Sequence, residues 1–486
     1  MNIEEFKSLA KNYTVIPVFK RLLADTLTPV SLFLNIREGA EYPFLLESVE
    51  GGENLARYSF IGRDPYQILS FDGSETKLKK GSTDSILDEA YFDALKRLTT
   101  AFKEPIIQDL PRLTGGAVGY SSYDTFRQVE HLPNVPNDDL NLPEAIWAFY
   151  DQIYAFDHVK HQVVLIKSVF ISEDTDLDKA FENAQDALLE MESHVSTASI
   201  SNSSFQIETR GVTSNVTEEY FSDIVLKGKE YIFEGDIFQV VLSQRFETGL
   251  SGDRFMLYRA LRMVNPSPYL FYLDYGDFNI IGSSPEVLVR VQDEEVRLLP
   301  IAGTRPRGKD HEEDLALEED LKHDPKEIAE HIMLVDLGRN DLSRVCEAGT
   351  VKMERNQAIE RYSHVMHIVS DVIGKLRKDQ TSVDALMQCF PAGTVSGAPK
   401  IRAMQIIDEL ETTKRGIYAG AVGYFDFSGN MDTCIAIRTM VAKKDKVYIQ
   451  AGAGIVADSD PKKEFEETQN KAGALIEALS VALDIQ

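Results

Sequence analysis

Residues 278–308 read FNIIGSSPEVLVRVQDEEVRLLPIAGTRPRG. Three apolar runs, FNIIG, VLVRV and VRLLPIAG, follow one another across short polar turns, which predicts successive strands. The same texture recurs upstream in YLFYLDY (269–275) and IFQVVLSQRF (237–246). Near the N-terminus, residues 28–36 (TPVSLFLNI), 42–49 (YPFLLESV), 56–62 (ARYSFIG) and 66–71 (YQILSF) also read as strands, and further strand-like runs extend from 113 to 170. Strands come in runs rather than in strict βαβ alternation. The reading is therefore α+β, an α/β sandwich of large, mostly antiparallel sheets with helices packed outside.

Helical spacing is expected around 86–103, over 176–193 and over 217–236, where Tyr220, Ile224, Leu226 and Ile232 mark an apolar side. Residues 194–215 are rich in Ser and Thr without periodicity and read as a linker. This divides the chain into an N-terminal region, 1–193, intertwined with the rest, and a C-terminal region, 216–486.

The 486 residues carry 51 Lys and Arg against 78 Asp and Glu, a formal net charge of −27. That balance argues against nucleic acid and anionic membrane as partners, since both need a basic face. An anionic substrate would need local basic groups or a metal ion. Three widely spaced cysteines, Cys346, Cys389 and Cys434, give neither a disulfide framework nor a zinc spacing. No secretory h-region and no long apolar run is present, so a reducing cytoplasm is expected.

Several segments could carry chemistry. Glu286 precedes the VLVRV run. It is either a solvated strand-end carboxylate or a general acid at a pocket rim. The segment 326–345 (KEIAEHIMLVDLGRNDLSRV) reads as a helix with Ile328, Ile332 and Val335 on one face and Glu327, Glu330 and His331 on another. A second acidic helix begins with Asp460 as cap and Pro461 at its first position, placing Glu464, Glu467 and Lys471 together. Carboxylates from two helices suit Mg²⁺, although solvated acidic faces are the common case. The turn 393–397 before Pro399 and the glycine-rich 451–454 allow close backbone approach to an anion. Arg438, in an apolar run, needs an anionic partner. His364 and His367 lie in a Val- and Ile-rich run.

Seven of these segments occur in one order: PIAGTRPRG, AEHIMLVDLGRNDL, RYSHVMHIVSDVIG, FPAGTVSGAPKIRAM, GIYAGAVGYF, CIAIRTM and AGAGIVADSDP with EETQNKA. Together they resemble the chorismate-utilising enzymes from about residue 215 to the end. LLESVEGGENLARYSFIG and NPSPYLFYL extend the resemblance to the large, aminase component of the anthranilate synthases. The resemblance implies that Gly303, Thr304, Tyr418, Arg438, Gly452, Ala453 and Gly454 contact chorismate, with Lys471 assisting. It implies Mg²⁺ on Glu330 and Glu467, Glu286 as general acid, and His367 in the loss of pyruvate. Ala302 stands where aminodeoxychorismate synthases carry a lysine, and Gln239 where isochorismate synthases carry one. Both favour amination to anthranilate by ammonia.

The chain has no Gly-x-Cys-x-Gly nucleophile pattern. The resemblance therefore implies a separate glutamine amidotransferase subunit and a hetero-oligomer, such as a heterotetramer. Ser48, Pro268, Tyr269 and Leu270 match the family's tryptophan feedback site. The competing readings are an aminodeoxychorismate or isochorismate synthase, and a non-catalytic tryptophan-sensing subunit.

Overall fold

The strands Phe278–Ser284 and Val287–Gln292 are separated by only two residues, yet they belong to different sheets. The computed structural model describes residues 1–48, 57–196, 205–206, 211–361 and 365–485. Two sheets of twelve strands each are formed by these residues, and every strand pairing is antiparallel.

Both sheets draw on both halves of the chain. The first runs from Val15–Leu23 to Phe44–Glu47, then continues through Tyr269–Asp274, Phe278–Ser284, Thr439–Lys443, Lys446–Ile455 and Gln239–Gly249. Its two halves join where Leu45 pairs with Tyr272. The second runs from Ile301–Pro306 through Val365–Lys375, Val287–Gln292, Met431–Ile435 and Ala421–Asp426, then into Gly116–Ser121, Ala145–Tyr150 and Gln67–Phe71. Its halves join where Gly119 pairs with Gly423.

The sheets pack face to face around one apolar layer. Phe44, Ile166, Phe271 and Ile280 of the first meet Ile68, Val118, Ile146 and Val422 of the second. Helices Pro29–Ile36, Leu177–Ser196, Phe255–Val264 and Pro461–Asp484 cover the outer face of the first sheet. Tyr91–Thr99, Pro325–Val345 and Ser382–Cys389 cover the second. The expected sandwich of antiparallel sheets with outer helices is what forms.

Local expectations fail at identifiable places. Residues 28–36 are not a strand: Thr28 and Ser31 cap each other and Pro29 opens the helix Pro29–Ile36. The stretch 86–103 begins as the end of strand Thr83–Leu87, and its helix is only Tyr91–Thr99. On the helix Glu218–Glu234 the buried side is Phe221, Ile224 and Val225, while Tyr220 and Leu226 are exposed. On Pro325–Val345, His331 is fully buried against Ser370 at 2.7 Å, and Ile332 is exposed. The helix Leu177–Ser196 runs into the stretch read as a linker, of which 197–204 and 207–210 lie outside the described residues. All three cysteines are buried.

Where the halves meet, Glu104 lies buried beside the turn after Ala421–Asp426. It accepts from Thr114 and, at 3.2 Å, from Ser428 Oγ. Burial raises its carboxyl from the ordinary 4.5 to about 8. The folded state therefore holds a proton that the unfolded chain releases. The resulting stability is full below pH 4.5 and is lost as pH rises through about 8. Glu104→Gln should flatten the fall in melting midpoint between pH 5 and 8, measured by circular dichroism. A fall as steep as that of the parent chain would contradict this protonation state.

Candidate active site

Two chain crossings between the sheets lie side by side. Pro285 and Glu286 link Phe278–Ser284 to Val287–Gln292, and residues 436–438 link Met431–Ile435 to Thr439–Lys443. The Arg438 carbonyl accepts from Ser283 N at 3.1 Å, and the Glu286 carbonyl accepts from Ile435 N at 3.1 Å. The backbone thereby fixes both residues in one place. Arg438 is not inside a strand, as its apolar neighbours suggested. It occupies a left-handed bend with φ 51°, a conformation costing about 1 kcal/mol for a non-glycine residue.

Glu286 is half-buried. Thr394 Oγ1 donates to its Oε2 at 3.0 Å. Burial raises its pKa, while the Thr394 hydrogen bond and the nearby Lys471 and Arg438 pull the other way. Arg438 donates to the carbonyl of Lys471, and Lys471 Nζ donates to the Gly452 carbonyl at 3.1 Å and pairs with Glu467 at 2.7 Å. Burial depresses the Arg438 pKa, offset in part by Glu286.

Gly452 and Gly454 form the floor on strand Lys446–Ile455. A Cβ on Gly452 would lie 2.7 Å from Tyr418 Oη, and one on Gly454 would lie 2.6 Å from Gln239 Nε2. Only glycine lets these side chains approach the backbone so closely. Ala453 points to the opposite face, into a core with Ile406 and Ile455, so it offers the site its backbone alone. The buried Tyr418 phenol is pushed up to about 12, so it is a neutral donor at physiological pH.

Gln239 Nε2 reaches Glu330 Oε1 at 3.4 Å, and the Gln239 Oε1 atom is buried without a partner. The register of Ile301–Pro306 shifts at Gly303, with φ 71°, which sets Thr304 opposite His367. His367 Nδ1 lies 3.0 Å from the Gly303 carbonyl and 3.1 Å from Thr304 Oγ1. Burial lowers its pKa, so the ring is held neutral. Ala302, on the same strand, is buried. His364 lies outside the described residues.

No cluster of three metal-ligating side chains occurs among the described residues. Glu330 and Glu467 each have an acidic neighbour, although Glu467 is also paired with Lys471. Burial first, and then Glu330, raises the Glu327 carboxyl, while burial and Glu467 raise Glu464. An oxygen-preferring cation that completes its shell with water or substrate suits such a donor set.

The residues that sequence reasoning expected fall into linked groups. Glu286, Arg438, Lys471, Gly452 and Tyr418 form one. Gln239, Gly454 and Glu330 form a second, and Thr304 with His367 a third. Thr394 had been read only as part of an anion-binding turn, and its hold on Glu286 was missed. The buried pair Glu411–Arg415 beneath the site was also missed. Their i, i+4 spacing at the end of helix Lys400–Leu410 was the available signal.

A cavity of about 420 Å³ opens between the sheets, lined in part by Ser48, Pro268, Tyr269, Leu270, Arg290 and Asp432. Ser48 Oγ and Arg290 Nε are buried there without partners. Tyr269 pairs in register with Ser284, two residues from Glu286.

The model of the chorismate binding enzyme family matches residues 41–477. Anthranilate synthase component 1 of Acetivibrio thermocellus is 48% identical, covering 100% of this chain and 99% of the relative. That of Aquifex aeolicus is 45% identical with the same coverage. Among solved structures, anthranilate synthase component I from Streptococcus pneumoniae superposes with a TM-score of 0.79 at 36% identity, covering 94% of this chain and 99% of that one. The menaquinone-specific isochorismate synthase of Escherichia coli shares the fold, with a TM-score of 0.73 at 18% identity and 98% coverage of each chain.

Thr394→Val should raise the pH at which Glu286 ionises, because the lost hydrogen bond favours the charged form. Isotope-edited infrared titration, with Glu286→Gln as blank, reads this directly. An unmoved titration would show that Thr394 does not hold the carboxyl.

Proposed function

The chain belongs to the chorismate binding enzyme family, and on that premise we infer that it converts chorismate and ammonia to anthranilate and pyruvate. The full-length match to anthranilate synthase component 1 relatives carries this reading. Alanine at 302 and glutamine at 239 agree with it, since neither residue supplies a side-chain amine or a strong base.

Chorismate is a dianion, and the chain's net charge of −27 repels it. Arg438 and Lys471 supply the local positive charge, Gly452 and Gly454 allow close approach to the backbone, and Tyr418 donates a hydrogen bond. Burial raises the Glu286 pKa toward the protonated form, which suits it to give a proton to the departing ring hydroxyl as ammonia bonds to the ring. In the second stage the enolpyruvyl group leaves as pyruvate and a ring proton is lost. Neutral His367, positioned by Gly303 and Thr304, is placed to take that proton. Glu330 and Glu467 would hold Mg²⁺, which would supply charge compensation and orientation for the ring carboxylate.

Ammonia comes from a partner. The naming of the relatives as component 1 implies a second component, and this chain has no glutaminase motif of its own. A glutamine amidotransferase subunit in a hetero-oligomer supplies it. The inter-sheet cavity takes tryptophan: apolar side chains such as Leu46, Phe60 and Val422 line it beside charged Glu47, Arg57 and Asp432, it has room for one amino acid, and Ser48 Oγ and Arg290 Nε are buried at its wall without partners. No helix among the described residues is long and apolar enough to cross a membrane, and the cytoplasm is the compartment this reading assigns.

Anthranilate fluorescence from the purified chain with chorismate, Mg²⁺ and ammonium tests the activity. Signal is expected with ammonium and none with glutamine alone. Chorismate consumed without anthranilate would indicate an isochorismate or aminodeoxychorismate product, and no consumption would indicate a non-catalytic sensor. Ser48→Arg should raise the tryptophan concentration for half-inhibition at least about tenfold, the equivalent of 1.4 kcal/mol, while turnover persists. Unchanged sensitivity would place the inhibitor elsewhere.

A further inference from the structure

Arg415 is 3% exposed and touches none of the groups assigned to the chemistry by hydrogen bond. All three of its guanidinium nitrogens nevertheless donate. Nε and Nη2 donate to the two Glu411 carboxylate oxygens at 2.9 and 2.7 Å. Nη1 donates to the Val395 carbonyl at 2.6 Å, and Nη2 also donates to the Val241 carbonyl at 2.7 Å. The cation lies 5.5 Å from the Tyr418 ring centroid and 4.8 Å from that of Tyr123. Glu411 in turn accepts from Ser243 N and Oγ, both at 2.8 Å.

Three of these partners border the site. Val395 follows Thr394, which holds the Glu286 carboxyl. Val241 pairs in register with Gly454 of the glycine floor. Tyr418 lies over Gly452. A buried ion pair contributes little net stability, because desolvation offsets the attraction. A planar five-donor fork can, however, tie several carbonyls in one plane, which lysine cannot do. Stability alone therefore gives a weak reason for a cation here, and geometry a strong one.

We propose that Arg415, with Glu411, is a positioning residue that sets the spacing between the Thr394–Glu286 pair, the glycine floor and Tyr418. The inference rests on the chorismate reading above. Misplacement of reacting groups by about 1 Å can cost roughly 100-fold in rate. Loss of the fork also frees Thr394, while among the other polar groups facing Glu286, Lys471 and Arg438 keep their charges and Tyr418 stays neutral.

The test compares the parent chain, Arg415→Lys, and the double variant Arg415→Met/Glu411→Leu, which leaves no buried charge unpaired. Folding is monitored by circular dichroism, and kcat is measured against pH with chorismate and ammonium. Folded variants should lose about 10- to 100-fold in kcat. Their alkaline limb should also move to higher pH, because Glu286 loses the hydrogen bond that favours its ionised form. Folded variants with parental kcat, or a loss that tracks the unfolded fraction with an unmoved limb, would overturn the inference. Failure of both variants to fold would make the residue a determinant of the fold alone and equally overturn it. A parent chain that leaves chorismate untouched would instead remove the functional reading, and the inference with it.

Discussion

Two strand crossings, hydrogen-bonded to each other, are the constraint on which the site depends. The chain passes from one sheet to the other at Pro285–Glu286 and again at residues 436–438. Reciprocal backbone contacts, Ser283 to Arg438 and Ile435 to Glu286, bind the crossings together. A carboxyl group and a guanidinium cation are thus delivered to the junction of two sheets by paired backbone. The strained φ at Arg438 is sustained by the pairing on either side of it.

Electrostatics follows from this placement. The surface is strongly acidic, yet Arg438, Lys471 and Arg415 gather around one floor of glycine. Their neighbours divide the work. Burial raises the Glu286 pKa against the pull of Thr394, Lys471 and Arg438, Tyr418 is kept neutral, and Glu411 balances the charge of Arg415. The same crossings also border the inter-sheet cavity, through Tyr269 opposite Ser284 and through the strand Met431–Ile435. A ligand wedged between the sheets would press on the strands that flank Glu286 and Arg438.

Much of this was legible in the sequence because it is local or carried by long motifs. Runs of strands without intervening helices announced the antiparallel sheets, and Asp460–Pro461 announced the last helix. Other features depend on contacts that local pattern does not encode. TPVSLFLNI is as apolar as a strand, and only the reciprocal Thr28–Ser31 cap tips it to helix. Glu330 and His331 are adjacent, yet one lies beside Gln239 and the other is sealed against Ser370. Helix spacing groups them, and tertiary packing separates them. Likewise, nothing near Arg415 in the chain discloses that its partners are the carbonyls of residues 241 and 395.

The most direct measurement is a crystal structure of the Glu286→Gln chain soaked with chorismate and Mg²⁺. Chorismate should lie on Gly452–Gly454, with a carboxylate at Arg438 and its ring hydroxyl within hydrogen-bond reach of residue 286. Chorismate bound only in the cavity beside Ser48, or with that hydroxyl turned away from residue 286, would contradict the assignment of the crossings as the catalytic centre.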